Sequence, residues 1–167
     1  QAPQEASFVA RIDPDIALHA FQGEIAQNLW EKALRTQEAL QASALLLHTP
    51  SSFRPGTQNE TALREWIDRI ELPCPLVWRG DGLWEESEDY VNVCQSLNMT
   101  AVIDPLMWDE EEEIPQGSHY YWRILGGQGL TPRLSDYDLD QLLSLVEEEQ
   151  HMFELFNKRV EHRLTRK

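Results

Sequence analysis

The feature that most constrains this fold is a regular alternation of short apolar runs with amphipathic segments. The apolar runs predict strands at residues 7–12, 44–47, 76–78, 100–103 and 119–125. Apolar residues at helical spacing predict helices at residues 24–41, 59–70, 87–97 and 136–149, with Asn59 as the N-cap of the second. Alternation of this kind is typical of an α/β fold with a parallel sheet covered by helices.

One predicted element is ambiguous, and one common α/β fold lacks its sequence signature here. Residues 151–156 fit either a last strand or a continuation of the preceding helix, and the sequence leaves both possibilities open. No phosphate-binding glycine fingerprint follows the first predicted strand, so the sequence gives no support for a dinucleotide-binding fold. The length of 167 residues indicates a single domain, in which we expect residues 1–6 to be disordered or a linker.

The charge of the chain limits its partners. It has 29 acidic against 14 basic residues, a formal net charge of −15. Such a chain is repelled by phosphate backbones and anionic lipids, which disfavours direct binding to nucleic acid or to a membrane surface. A role in nucleic-acid processing would need a basic partner, and no run approaches the roughly 20 apolar residues of a membrane span.

The two cysteines, Cys74 and Cys94, lack the spacing of a zinc site, and we expect both to be unpaired apolar residues. A reducing cytoplasm is the simplest compartment for such a chain. The sequence predicts no metal and no cofactor.

Several short motifs follow one another in an order that resembles a known family. They are LLLHTPSSF at 45–53, WRGDGLW at 78–84, VIDP at 102–105 and YWRILG at 121–126. Together they resemble the hallmarks of the YecE-like family, also called domain of unknown function 72, whose members are (β/α) barrels. Because a full barrel typically needs about 250 residues, the resemblance implies an incomplete TIM-barrel-like parallel sheet covered by helices. The first two strand–helix units of the family would be the missing ones.

The chain departs from the family pattern at positions that could carry chemistry. Arg79 stands where the motif has Glu, Asp81 where it has Arg, and Leu125 where it has His. Asp104 and Arg123 agree with the motif. A structural ion pair survives an exchange of its two ends, whereas a carboxylate needed for proton transfer cannot be replaced by an Arg, which stays protonated.

Six polar residues fall at the predicted carboxyl ends of strands, where parallel barrels collect their functional groups. They are His48, Arg79, Asp81, Asp104, Arg123 and Asn157. Arg79 and Arg123 could clamp a carboxylate or phosphate, with Asp81 and Asn157 as further substrate contacts. His48 or Asp104 could act as a general base. Four of them have a structural alternative. Asp104 can bond its own loop backbone, and Asp81 suits a turn. Arg123 can be a buried partner of Asp104 or Asp81, and His48 can satisfy a backbone group at the strand end.

Two functions follow as hypotheses. The first is a non-catalytic or degenerate barrel protein, a binding or assembly component of a larger complex. Because an unclosed barrel exposes strand edges, we expect a protein partner or self-association to cover them. The alternative is a hydrolase-like enzyme acting on a phosphorylated or other anionic small molecule at the carboxyl-terminal face of the barrel.

Overall fold

The computed structural model describes residues 7–85, 87, 89–107, 121–124, 134–148 and 152–155. Residues 1–6 and Asn157, each the subject of a prediction, lie outside the described residues. The chain divides into two compact units, residues 1–101 and 102–167.

The first unit is a parallel sheet whose strands follow one another in chain order. Its strands are β1 (Val9–Arg11), β2 (Ala44–Thr49), β3 (Leu76–Gly80) and the first half of β4 (Thr100–Ile103). Its helices are α1 (Asp15–Leu18), α2 (Gly23–Leu40), α3 (Thr57–Ile67) and α4 (Asp89–Ser96), and a short 3-10 helix, Gly82–Trp84, follows β3. Successive strands are parallel neighbours, with Ala10 opposite Leu45 and Leu47 opposite Trp78.

The ends of the helices have local causes. Helix α2 ends because Gln41 adopts a left-handed conformation (φ 50°), with its N–H bonded to the helix carbonyls. Asn59 is not the N-cap of α3, and that prediction was wrong. The helix begins at Thr57, after Gly56, whose N–H is bonded by the Glu60 carboxylate at 3.2 Å. The Asn59 side chain instead donates to the Arg54 carbonyl at 2.8 Å.

An aromatic core fills the space between the strands and helices of the first unit. Phe21 stacks on Trp66 with ring centroids 5.0 Å apart, and Trp30 meets Trp66 edge-on at 5.5 Å. Trp78 and Trp84, both fully buried, meet edge-on at 4.9 Å. Contacts of this kind add to the stability gained from burying the rings.

The second unit continues the same pattern. The last two residues of β4 pair in parallel with β5 (Tyr121–Ile124), which pairs in parallel with β6 (Met152–Leu155). Residues 152–155 are therefore strand, the first of the two possibilities left open by the sequence. Helix α5 (Asp136–Glu148) begins at a reciprocal cap, in which the Ser135 N–H donates to the Asp138 carboxylate and the Asp138 N–H donates to the Ser135 hydroxyl.

The order of the described strands, β1 to β6, is sequential and parallel throughout, which is the order of a TIM barrel. The predicted fold class, an incomplete (β/α) TIM-barrel-like parallel sheet covered by helices, is confirmed. Strands β1 and β6 are the edges of the described sheet. None of the described helices combines the length and the apolar character that crossing a membrane requires.

Candidate functional site

Three polar side chains lie on one face of neighbouring strands in the first unit. Successive residues of a strand point to opposite faces of the sheet. Leu47 and Trp78 pack in the core under the helices, so the residues that follow them, His48 and Arg79, point to the other side. Arg11 follows the core residue Ala10 in the same way. We call the side of β1–β3 turned away from the helices the inner face.

His48 is held from both sides of its ring. It is paired in register with Arg79 of β3, and its Nε2 lies 2.6 Å from Asp81 Oδ2. On the opposite side, Arg11 Nη2 is hydrogen-bonded to His48 Nδ1. A guanidinium can only donate, so Nδ1 accepts and carries no proton. The imidazole proton is therefore on Nε2 and is donated to Asp81.

Arg79 and Asp81 form an ion pair, with 2.8 Å between Arg79 Nη2 and Asp81 Oδ1. These atoms are at ion-pair distance but are not aligned as a hydrogen bond. Asp81 Oδ1 and Arg79 Nε are both buried and have no hydrogen-bond partner among the described residues. The side chains of Arg79 and Asp81 are 22% and 27% exposed, so the pair sits at the surface of the inner face.

The backbone around Asp81 explains why two glycines flank it. A Cβ on Gly80 would lie 2.6 Å from Trp84 Cβ, so only glycine lets the Trp84 ring pack against the end of β3. Gly82 has φ +68° and faces Ser51 closely, a conformation and a space that favour glycine. Asp81 itself is extended, and its N–H donates to the Thr49 carbonyl at 3.0 Å. These contacts fix the direction of its carboxylate.

A buried hydrogen-bond network supports the same strand ends from the helix side. Thr49 is fully buried, and its hydroxyl accepts the indole N–H of Trp78 at 3.0 Å. The hydroxyl of Tyr90 from α4 donates to the Trp78 carbonyl. These bonds connect β2, β3 and α4 on the side of the sheet opposite His48 and Arg79. The backbone that carries the inner-face side chains is therefore held in place by buried hydrogen bonds.

The other predicted site residues belong to the second unit. Asp104 follows β4, and its carboxylate accepts the backbone N–H of Leu106 at 3.1 Å, which is the structural alternative considered for it. Arg123 lies on β5, half-buried, and is in register with Glu154 of β6.

The structure thus brings together three of the six predicted residues, His48, Arg79 and Asp81, and adds Arg11, which the sequence analysis missed. Arg11 lies in the first predicted strand, one residue after the core residue Ala10. The alternation of side chains along a strand, which puts Arg11 on the face opposite Ala10, is the sequence signal that could have identified it. The cluster holds two arginines, one carboxylate and an imidazole with an unprotonated Nδ1. Its excess of positive charge suits an anion.

Two further predictions concern the cysteines and metal binding. Cys74 and Cys94 are both free thiols, as expected. Burial raises the pKa of each thiol, most strongly for Cys94. Among the described residues, no group of three or more His, Cys, Asp or Glu side chains is placed to hold a metal ion.

Comparison with known proteins gives one structural match. The fold is similar to the crystal structure of a DUF72 family protein from Thermotoga maritima, with a TM-score of 0.65 and 15% sequence identity. The match covers 93% of this chain and 68% of that chain. No protein-family model and no curated protein matches the sequence. The structural match confirms the resemblance indicated by the motifs: this chain has a DUF72-like fold with a strongly divergent sequence.

Proposed function

We propose that the chain is a non-catalytic binding component of a larger assembly. The observation that carries the proposal is the ion pair between Arg79 and Asp81, 2.8 Å apart. The family motif has a Glu and an Arg at these positions, so the two charges are exchanged in this chain, where they form an ion pair. A guanidinium does not release its proton near neutral pH. The exchange is therefore compatible with a structural pair and removes the acid–base group at position 79.

The first edge of the sheet supports a partner on that side. Within the described residues β1 pairs only with β2, which leaves the other side of β1 open. Two apolar side chains on helices that contact each other after β1 are exposed: Leu18 of α1 is 61% exposed and Ile25 of α2 is 54% exposed. A single exposed apolar residue is ordinary, but an open strand edge together with exposed apolar residues on the helices that follow the strand is compatible with an interaction surface.

The native mass of the assembly tests this proposal. Sedimentation velocity is run on the purified full chain and on the material that co-purifies with it. Replacing both Leu18 and Ile25 by Glu should weaken association by about tenfold or more, because a charge would have to be buried. Leu83→Glu is the matched control, since Leu83 is 53% exposed on the short helix after β3. The proposal is contradicted if the chain is monomeric in every preparation. It is also contradicted if the Leu18 and Ile25 double variant and Leu83→Glu weaken association equally.

A second candidate function is an enzyme acting on a phosphorylated or other anionic small molecule. The specific observation that favours it is the 2.6 Å hydrogen bond between His48 and Asp81. A carboxylate that fixes the tautomer of an imidazole leaves the other ring nitrogen, here Nδ1, as the base, and Arg11 would have to release Nδ1 before it could take a proton.

Turnover of 4-nitrophenyl phosphate, a chromogenic phosphate monoester, tests the second candidate. If His48 is the base, His48→Gln should lower the rate by about 10²-fold or more. His19→Gln is the control, because His19 is an exposed histidine at the end of α1. Absence of turnover by the parent chain, or an unchanged rate in His48→Gln, would count against this function.

The compartment belongs to the same proposal. Cys74 and Cys94 are free, and an unpaired buried thiol such as Cys94 is compatible with reducing conditions. These features support a cytoplasmic protein. Localisation of the tagged full chain in its source cells tests this, and recovery outside the cytoplasm would contradict it.

A further inference from the structure

We infer that Arg11 and Arg79, which flank His48 on the inner face of β1–β3, form a binding site for one small oxyanion, a phosphate or a carboxylate group. The inference shares residues with the second candidate function but requires only binding and no turnover. It is also independent of the proposed assembly, which involves the edge of β1. All of its residues lie in the first unit.

The first support is an unsatisfied donor. Arg79 Nε is buried and has no acceptor among the described residues, while Nη2 of the same side chain is committed to Asp81. A buried N–H without an acceptor is unfavourable, so a turn of the partly exposed Arg79 side chain that brings Nε to an oxyanion would be stabilised. Because Arg79 and His48 are side by side in register, that oxyanion would lie beside the imidazole, whose two nitrogens are already bonded to Arg11 and Asp81.

The second support is the position of Arg11. Its guanidinium donates to His48 Nδ1, so it is already directed to the same imidazole from the opposite side. Arg11 is an exposed residue, and its guanidinium has five N–H groups of which this bond uses one. The other donors can reach a ligand in solvent without rearrangement of β1.

The third support is charge. With the imidazole neutral, Arg11 and Arg79 outweigh the single carboxylate Asp81, and the cluster is locally positive in a chain of net charge −15. The local positive cluster attracts an anion at short range, while the net negative charge of the whole chain repels a polyanion, with its many charges, more strongly than a single small anion. This selects a small ligand over a nucleic-acid backbone.

Isothermal titration of the full chain with inorganic phosphate, and separately with acetate, at low ionic strength tests the site. The comparison of the two titrations tells a phosphate-binding site from a carboxylate-binding one. Arg11→Gln should weaken binding of the preferred anion by about tenfold, the loss expected for one charge-assisted contact. Arg35→Gln is the matched control: it removes the same charge from an exposed position on α2 and should change binding by less than about twofold.

A second readout does not depend on the variants. Adding the preferred anion should shift the side-chain ¹⁵N resonances of His48 and leave those of the exposed His19 unchanged. The inference is overturned if neither anion binds more tightly than about 10 mM, if Arg11→Gln and Arg35→Gln weaken binding equally, or if only His19 responds. Such a failure would leave the native-mass test of the proposed assembly unaffected.

Discussion

The two faces of strands β1–β3 are stabilised in different ways. On the helix-covered face, Leu47 and Trp78 are fully buried among aromatic rings contributed by α2, α3 and α4. On the inner face of the same strands, Arg11 and His48 are held by a few polar contacts whose geometry depends on strand register. The helix-covered face is therefore specified by many interchangeable apolar contacts, whereas the inner face depends on a small number of individual bonds.

The largest expected effect concerns the helix-covered face. Trp66 stacks on Phe21 and meets Trp30 edge-on, so Trp66→Ala should lower the free energy of unfolding by about 3–5 kcal/mol. Urea denaturation followed by circular dichroism measures this loss. Trp66→Phe is the control and should cost clearly less, since it keeps a ring in the same place. A loss below about 1 kcal/mol for Trp66→Ala would show that this face is not the main source of stability.

The second prediction links the two faces through Gly80. A methyl group at this position would lie 2.6 Å from Trp84 Cβ, and the required shift should cost about 1–3 kcal/mol of unfolding free energy. Gly80→Ala should also change the side-chain NMR signals of His48, because Gly80 lies between Arg79 and Asp81. Gly23→Ala serves for comparison. It introduces strain at φ +79° with open space around the Cβ, and it should leave the His48 signals unchanged. Unchanged His48 signals in both variants would mean that the two faces are independent.

A smaller effect is expected within the cluster itself. Asp81→Asn removes the charge that pairs with Arg79 but keeps an oxygen that can accept the His48 Nε2–H. Because both members of the ion pair are partly exposed, the loss of unfolding free energy should be below about 1 kcal/mol. Urea denaturation at low and high salt provides the measurement. A loss of about 3 kcal/mol or more would instead identify the pair as a buried structural element.

The smallest effect concerns the two thiols. Burial raises the pKa of both, more for Cys94 than for Cys74, so the reactive thiolate is scarcer at Cys94. With a chromogenic disulfide at mildly alkaline pH, Cys74 should react first and Cys94 only after denaturant is added. Rapid reaction of Cys94 in the native protein would contradict its burial.

The same thiols give stability a pH dependence. Since the folded pKa of each lies above its unfolded value, the unfolded chain binds fewer protons in alkaline solution. The contribution of the thiols to stability is thus present below the unfolded pKa and falls as pH rises through the folded one. Unfolding midpoints of the parent chain and of Cys94→Ala measured across alkaline pH check this sign.

The sequence predicted the strands well where apolar residues define them, and less well where pairing continues through polar ones. Strand β4 was predicted with its observed bounds, Thr100–Ile103. Strand β2 continues two residues beyond the apolar run, because His48 and Thr49 remain paired with Arg79 and Gly80. Hydropathy marks the buried part of a strand, but the hydrogen-bond ladder extends further, and the candidate site lies in that extension.

The site itself was only partly predictable for a related reason. That His48, Arg79 and Asp81 would lie at strand ends followed from the proposed fold. The contact between His48 and Asp81, 33 residues apart in sequence, depends on the register of β2 against β3 and on the glycines beside Asp81. Arg11 lies on a three-residue edge strand, and its bond to His48 depends on the register of β1 against β2. Helix α1, four residues long, is too short to produce a periodic signal.

The most direct test of the cluster is the tautomer of His48 in solution. Long-range ¹H–¹⁵N correlation spectra of the full chain at neutral pH distinguish a protonated from an unprotonated ring nitrogen. The arrangement of Arg11, His48 and Asp81 predicts that the proton resides on Nε2 and that Nδ1 carries none. A proton on Nδ1, or a ring that averages between the two tautomers, would contradict the convergence of these strand ends into one site.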